Sequence, residues 1–235
     1  MPDNLIAMKM IEDTAPTNSQ RPRESFQPIE SVCAAVSPAP DETFMDRRLL
    51  CCNRNCPASQ FYGRAILWVV LLVWGMMMII GPVEKGWSTF VHHINLPIHE
   101  TGHLIFLVFG RFVQFLGGSI FQILLPASFA AAFLMYKRDA FAAAVMLWWT
   151  GQNFLDVASY IHDARAMSAN LVGGGIHDWN WLLGKMGLLH LDHSIAAAVF
   201  ALGAGIMMLS MFWSGWILWL IAEARLHIHK HDASP

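Results

Sequence analysis

Long apolar segments constrain the fold of this chain more than any other feature. The first, "AILWVVLLVWGMMMIIG" at 65–81, contains no charged residue. Further segments of comparable length follow at 87–110, 117–136, 139–162 and 194–222. A hydrocarbon core about 30 Å thick needs roughly 20 apolar residues per helix, and the backbone polar groups in lipid must be paired within each span. The sequence therefore predicts an all-α fold, a polytopic membrane helix bundle of about five spans.

The charge content agrees with a membrane protein. Only 14% of the residues are charged, whereas soluble domains average about 25%. The net charge of −2 leaves no basic excess to neutralise phosphates, which argues against a nucleic-acid partner and leaves the lipid bilayer as the expected one. The distribution of Lys and Arg around the spans favours a multi-pass protein of the cell inner membrane with a cytoplasmic N-terminus.

Composition divides the chain into three parts. Residues 1–60 are rich in Pro, Ser, Asn and charge, which predicts a disordered polar tail. Residues 61–226 form the predicted integral-membrane helical domain, and 227–235 a His-rich C-terminal tail. Between the last two apolar segments, "WNWLLGKMGLL" at 179–189 predicts a short helix at the membrane surface, because Trp favours that boundary.

All four cysteines belong to the predicted N-terminal tail. They are Cys33, Cys51, Cys52 and Cys56. Zinc sites that use cysteine need a second Cys or His pair at metal-binding spacing, and none accompanies this cluster. The pattern therefore indicates ordinary or redox-sensitive thiols.

The second apolar segment contains "HETGH" at 99–103, a His-Glu-x-x-His motif. His99 and His103 are one helical turn apart and share a face, so both imidazoles can bind one zinc ion at about 2.0–2.1 Å. Ionisable groups inside a membrane cost about 3 kcal/mol or more unless they are paired, so a metal ion is a reasonable cause for this cluster. Glu100 is the predicted general base, taking a proton from the attacking water.

A catalytic zinc needs a third protein ligand, and the fourth segment offers candidates on one polar stripe. The stripe comprises Gln152, Asn153, Asp156, Ser159, Tyr160 and Asp163. With a helix rise of 1.5 Å per residue, Asp156 lies closest in depth to the histidine pair and is the predicted third ligand. The alternatives that remain open are Asp163, His162, His177 and Asp178.

This combination resembles the site-2 protease family, the intramembrane zinc metalloproteases. Those proteins carry the same motif on a membrane helix and an aspartate on a later one, with an Asn a few residues ahead that Asn153 would match. The resemblance covers residues 87–165. It implies a Zn²⁺ cofactor, cleavage of a peptide bond, and a membrane-protein or peptide substrate. By analogy, the Gly-rich segment 110–122 would present an extended edge to that substrate.

Two other functions fit the same residues. One is a membrane zinc hydrolase that cleaves a lipid amide or ester. The other is a non-enzymatic metal-binding membrane protein. Glu100 separates these classes, because a carrier or scaffold does not need a general base.

Overall fold

The computed structural model describes residues 57–83, 90–168 and 176–232, with side chains up to Leu226. These residues are helical without any strand, which confirms the predicted all-α class. The helices are α1 (Ala58–Ile80), α2 (Phe90–Phe106), α3 (Arg111–Ala132), α4 (Ala140–His162), α5 (Asp178–Met186) and α6 (Asp192–Asp232). A 3₁₀ turn, Leu107–Phe109, follows α2; a π-helical turn, Phe133–Lys137, continues α3; and a second 3₁₀ turn, Leu189–Leu191, leads into α6.

Three helical segments of the described chain are long and apolar enough to cross a membrane. They are Ala58–Ile80, Arg111–Lys137 and Leu189–Leu226. Each of the five predicted spans coincides with a helix, but α2 and α4 are not among these three. Helix α2 has 17 residues, and α4 carries the predicted polar stripe. The structure thus supports a membrane protein with three candidate spans.

Helix α4 is the most buried element, and small residues let α6 approach it closely. A Cβ atom added at Gly203 would lie 2.7 Å from the Gly151 carbonyl oxygen, so the two helices meet backbone to backbone. Nearby, the Ser210 hydroxyl donates to the Ala144 carbonyl across the same contact at 2.6 Å. Small residues and interhelical hydrogen bonds of this kind drive helix association in lipid, where apolar burial does not.

Helix α1 is held against α4 and α6, the central pair of helices, by two contacts. The Trp68 indole donates to the Met211 carbonyl of α6 at 3.0 Å. The Arg64 guanidinium pairs with the Asp139 carboxylate at 2.9 Å. Asp139 is also the N-cap of α4, because its other oxygen accepts the Ala142 N–H at 3.0 Å. One aspartate therefore both begins α4 and holds α1 against it.

Helix α2 packs against α3 through glycines. A Cβ atom added at Gly102 would lie 2.5 Å from the Gly117 carbonyl oxygen and 2.8 Å from the Gly118 Cα. Pro97 lies inside α2, where the Thr101 hydroxyl donates to its carbonyl at 2.7 Å. The glycine contact brings the face of α2 with the His-Glu-x-x-His motif directly against α3.

Several boundaries and one analogy can now be compared with the structure. The extended edge expected at 110–122 is wrong, because α3 runs through this segment and its glycines serve helix packing. The predicted short helix at 179–189 is present as α5. Helix α6 continues to Asp232, so no helix end marks the predicted tail at 227. Residues 1–56, with all four cysteines, lie outside the described residues, so the predictions for the tail and its thiols stay predictions.

Candidate metal centre

His99 and His103 face α3 and α5 from one side of α2. Their ring centroids are 4.7 Å apart, with His99 buried and His103 partly buried. A spacing of four residues in a helix places side chains one above the other. The two imidazoles of the motif are therefore adjacent, as the sequence predicts.

The carboxylate that meets this pair comes from Asp178, the first residue of α5. Its Oδ2 atom lies 3.2 Å from His99 Nε2 and 3.1 Å from His103 Nε2. The N-cap residue His177 starts α5, because its Nδ1 accepts the Asn180 N–H at 3.2 Å. This cap fixes the position from which the Asp178 side chain reaches the histidines.

The three groups fit a divalent metal ion in number, type and spacing. Ligand atoms bound at about 2.0–2.1 Å in a tetrahedron lie roughly 3.3 Å apart, close to the two measured separations. The ligating atoms of His99, His103 and Asp178 all lie within 4.8 Å of one another. Two imidazoles and one carboxylate are a common ligand set of catalytic zinc sites, which keep the fourth position open.

The hydrogen bonds on the far side of each ring also favour a cation. His99 Nδ1 lies 3.0 Å from Gln122 Oε1, and His103 Nδ1 lies 2.8 Å from the Gln114 carbonyl oxygen. Both partners are acceptors, so each Nδ1 carries a proton, and Nε2 is the nitrogen that faces Asp178. Either a proton or a metal cation must then lie between each Nε2 atom and the Asp178 oxygen, because two lone pairs and a carboxylate oxygen repel one another at this distance.

Gly118 of α3 provides the space in front of both rings. A Cβ atom at this position would lie 2.6 Å from His99 Nε2 and 2.8 Å from His103 Nε2. Contacts this short are outside the range that real side chains adopt. A side chain at 118 would therefore fill the space beside both Nε2 atoms, and glycine leaves this space open to a ligand.

Tyr160 of α4 holds the Asp178 carboxylate from the other side. Its hydroxyl donates to Asp178 Oδ2 at 3.2 Å and accepts the Asp178 N–H at 3.2 Å. Burial raises the pKa of Asp178, but the hydrogen bonds with His103 and His99 outweigh it and bring this pKa to about 2. The carboxylate is therefore charged at neutral pH, as a metal ligand must be.

Glu100 is exposed and follows His99 directly on α2. It lies close enough for its negative charge to act on both His103 and Tyr160. A carboxylate at the rim of the three candidate ligands can exchange protons with water that enters the site. Its role as the general base stays a prediction.

The structure does not bring Asp156, the preferred third ligand, to the histidine pair. Its Oδ1 lies 2.8 Å from His92 Nδ1, and its Oδ2 accepts from Asn95 Nδ2 at 3.1 Å and from Gln122 Nε2 at 2.8 Å. Asn95 precedes His99 by four residues, or one helical turn. The depth comparison assumed that two helices enter from the same level, and α2 and α4 differ from this assumption by about one turn, roughly 5.4 Å.

The other open alternatives lie elsewhere. Asp163 Oδ2 is 3.3 Å from His177 Nε2, although their geometry does not make a hydrogen bond. Burial lowers the pKa of His177 more than the nearby carboxylates raise it, so its ring is neutral and can serve as the cap of α5. His162 stacks on His193, with ring centroids 4.0 Å apart. In the described part of the chain, only His99, His103 and Asp178 form a group that could hold a metal ion.

Asn153, which the resemblance matches to a family residue, is fully buried and donates to the Trp149 carbonyl of its own helix at 2.9 Å.

The sequence did not identify Gln122 and Gly118 as site residues, and it did not favour Asp178 as the third ligand. Asp178 was only an alternative, although an acidic residue at the start of a predicted helix was visible in "HDWNW". Gln122 and Gly118 gave no signal beyond a lone amide and a glycine pair inside an apolar segment.

Comparison of the whole chain with protein-family models, with curated proteins and with solved structures gives no match. The function is therefore argued from the site itself.

Proposed function

We propose that this protein is an integral-membrane zinc hydrolase whose metal ligands are His99, His103 and Asp178 and whose general base is Glu100. The observation that carries the proposal is the position of Asp178 Oδ2, which lies 3.2 Å from His99 Nε2 and 3.1 Å from His103 Nε2. Such a group is costly in a membrane protein without a cation. Glu100 is the feature that extends metal binding to hydrolysis.

Zinc is the metal that this set of donors suits best. Neutral imidazole and carboxylate are both zinc ligands, and the compact tetrahedral spacing does not suit calcium, which takes six to eight oxygens. A three-residue site leaves one position for water or substrate, as catalytic zinc sites do. The space kept open by Gly118 lies beside the Nε2 atoms of His99 and His103.

The chemistry follows from the residues around the site. A zinc ion held by His99, His103 and Asp178 would supply a Lewis acid for a substrate carbonyl and would make water more acidic. Glu100 accepts the proton of the attacking water and then donates it to the leaving amine or alcohol. Tyr160 holds the Asp178 carboxylate in place through its hydroxyl. One water is consumed, and an acid and an amine or alcohol are formed.

The proposed topology has five spans in the inner membrane with a cytoplasmic N-terminus. Three apolar helical segments support it directly. The remaining two, α2 and α4, turn polar residues towards each other: Asn95 of α2 donates to Gln152 Oε1 of α4 at 2.9 Å. Polar groups paired in this way are tolerated within a bundle.

The preferred substrate is a peptide bond in a membrane-embedded segment, on the basis of the His-Glu-x-x-His motif. A lipid amide or ester is the second candidate, because the same metal and base would act on any carbonyl bonded to an amine or an alcohol. The exposed apolar side chains of Ile94, Leu104 and Ile105 lie on the face of α2 turned away from the histidines, where they face lipid in the proposed topology.

The experiment that tests hydrolysis is the Glu100→Gln substitution. The full chain is reconstituted in vesicles with either a quenched fluorescent transmembrane peptide or a fluorogenic lipid amide, and hydrolysis and bound zinc are both measured. We expect the parent protein to cleave one of them and the variant to lose about 10²–10⁴-fold in rate at unchanged zinc content. Glu223→Gln, at an exposed glutamate of α6, is the matched control and should retain the parent rate.

Equal rates in the parent and the Glu100→Gln variant would contradict the proposed base. Zinc binding without cleavage of either probe would favour the non-enzymatic alternative.

A further inference from the structure

A chain of buried side chains connects the metal centre to a second carboxylate. His99 Nδ1 contacts Gln122 Oε1 at 3.0 Å, and Gln122 Nε2 donates to Asp156 Oδ2 at 2.8 Å. Gln122 and Asp156 are both buried, with 3% and 5% of their surfaces exposed. Neither is a metal ligand in the proposed site, so the reason for this connection lies elsewhere.

The orientation of the Gln122 amide follows from its partners. The Trp149 N–H donates to Asn95 Oδ1 at 3.0 Å, so the Asn95 NH₂ is the group that donates to Asp156 Oδ2 at 3.1 Å. Since this oxygen is an acceptor, the amide NH₂ of Gln122 must face it as well. The amide oxygen of Gln122 is consequently turned towards His99.

This orientation determines which nitrogen of His99 carries the proton. An amide oxygen beside Nδ1 requires an N–H there, and the neutral ring then keeps its lone pair on Nε2, which faces Asp178. A reversed amide would place its NH₂ against Nδ1 and move the ring proton to Nε2. The lone pair that a metal ion needs would then be lost.

We propose that Gln122 and Asp156 are positioning residues that hold His99 in its metal-binding tautomer, Gln122 directly and Asp156 through Gln122. This inference depends on the metal site of the proposed function. Partners of this kind around zinc ligands typically alter metal affinity by about 10–100-fold. Asp156, preferred from the sequence as a ligand, thereby acts one hydrogen bond further out.

Gln152 provides a comparison within the same polar layer. It is as buried as Gln122, at 2% exposed, and it accepts from Asn95 at 2.9 Å. Its hydrogen bond is to Asn95, which is not a candidate ligand. Replacing Gln152 therefore reports the cost of losing a buried amide, and replacing Gln122 reports that cost together with the loss of the acceptor at His99.

The test measures zinc affinity of the full chain in detergent by competition with a chromophoric chelator, and the visible absorption spectrum after loading with Co²⁺. The variants are Gln122→Met, Gln152→Met, and the double variant Gln122→Glu/Asp156→Asn. We expect Gln122→Met to bind zinc about 10–100-fold more weakly and to change the Co²⁺ spectrum. Gln152→Met should keep the parent affinity within about twofold, the size of ordinary non-additivity.

The double variant is the rescue. A glutamate at 122 still presents an acceptor to His99, and an asparagine at 156 can donate to its other oxygen. Asn95 then loses residue 156 as an acceptor and keeps Gln152 Oε1. Its zinc affinity should be within about twofold of the parent, with the parent Co²⁺ spectrum. The double variant also keeps the test valid if Gln122→Met does not fold.

The outcomes separate this inference from the proposed function. A parent protein that binds no zinc overturns both. A parent that binds zinc, together with Gln122→Met of unchanged affinity, overturns the positioning role and leaves the metal site intact. Equal losses in Gln122→Met and Gln152→Met, or a double variant as weak as Gln122→Met, likewise overturn the positioning role.

Discussion

Gly118 shows how closely the backbone of α3 approaches the two imidazoles. A Cβ atom added there would lie 2.6 Å from His99 Nε2 and 2.8 Å from His103 Nε2, so only glycine leaves both nitrogens accessible. The polar atoms behind the rings, on Gln122 and on the Gln114 backbone, set the direction of the lone pairs. The candidate site thus depends as much on an absent side chain and on two acceptors as on the three proposed ligands.

Gly118→Ala should therefore weaken zinc binding by itself. The new Cβ atom would lie 2.6–2.8 Å from both Nε2 atoms and must push the rings apart. Strain of this kind costs about 1–3 kcal/mol, which corresponds to roughly 5- to 150-fold in affinity. Chelator competition measures the change.

The control is Gly184→Ala on α5, where an added Cβ would have nothing within 4 Å. This variant should keep the parent affinity. If Gly118→Ala and Gly184→Ala bind zinc equally well, the rings do not enclose an ion at this place.

At the residue scale, the sequence was sufficient for local geometry only. The helical spacing of His99 and His103 predicts an adjacent pair, because both belong to one turn of the same helix. Asp178 is 79 residues away from His99, and its approach depends on how the connection after α4 returns towards α2. A comparison of depth along ideal helices does not include the approach of a distant segment, so it favoured Asp156 over Asp178.

At the scale of elements, α4 and α6 are in close backbone contact. Gly151 and Gly203 allow the backbones to touch, and the Ser210 hydroxyl adds a hydrogen bond to the Ala144 carbonyl. The site depends on this contact, because α4 contributes Tyr160 and Asp156 to the polar layer. Widening it is expected to destabilise the fold first.

Gly203→Ala should lower the free energy of unfolding by about 1–3 kcal/mol, as overpacking of a tight contact does. The added Cβ would lie 2.6–2.7 Å from Leu155, Phe154 and the Gly151 carbonyl oxygen. Unfolding by a denaturing detergent in mixed micelles, followed by circular dichroism, measures the change.

Gly205→Ala lies two residues further along α6, where an added Cβ would meet nothing within 4 Å. It should leave the stability unchanged or raise it slightly, because Ala favours helix over Gly. Equal stability of the two variants would show that α4 and α6 are not in close contact at Gly203.

The helices themselves were predictable, because apolar length and polar interruptions are local properties of the sequence. Predicted spans and observed helices agree within a few residues for α2 and α4. Helix α1 begins at Ala58, earlier than the apolar segment at 65, because its first turns contain polar residues that a search for apolar length leaves out. The extended edge expected at 110–122 came from analogy alone, and small residues there serve the contact with α2.

At the scale of the whole molecule, the apolar helices are candidate membrane spans, and the polar helices α2 and α4 contribute to the candidate site. Three apolar segments can cross a membrane without help. Helix α4 is buried along most of its length, so its polar stripe faces other helices and not lipid. The polar side chains of α2 and α4 then pair with each other, and the candidate metal site lies beside that layer. Hydropathy predicts that this is a membrane protein, but the partner of each polar group can be identified only from the three-dimensional structure.

The most direct measurement of the central claim is the zinc content of the purified full chain after exposure to excess zinc and removal of the unbound metal. We predict roughly one zinc per chain in the parent protein and in the Asp156→Asn variant. Zinc should be lost from the His99→Ala/His103→Ala variant and from Asp178→Ala. A parent protein without zinc, or a zinc content that survives in Asp178→Ala and disappears in Asp156→Asn, would contradict the assignment of His99, His103 and Asp178 as the ligands.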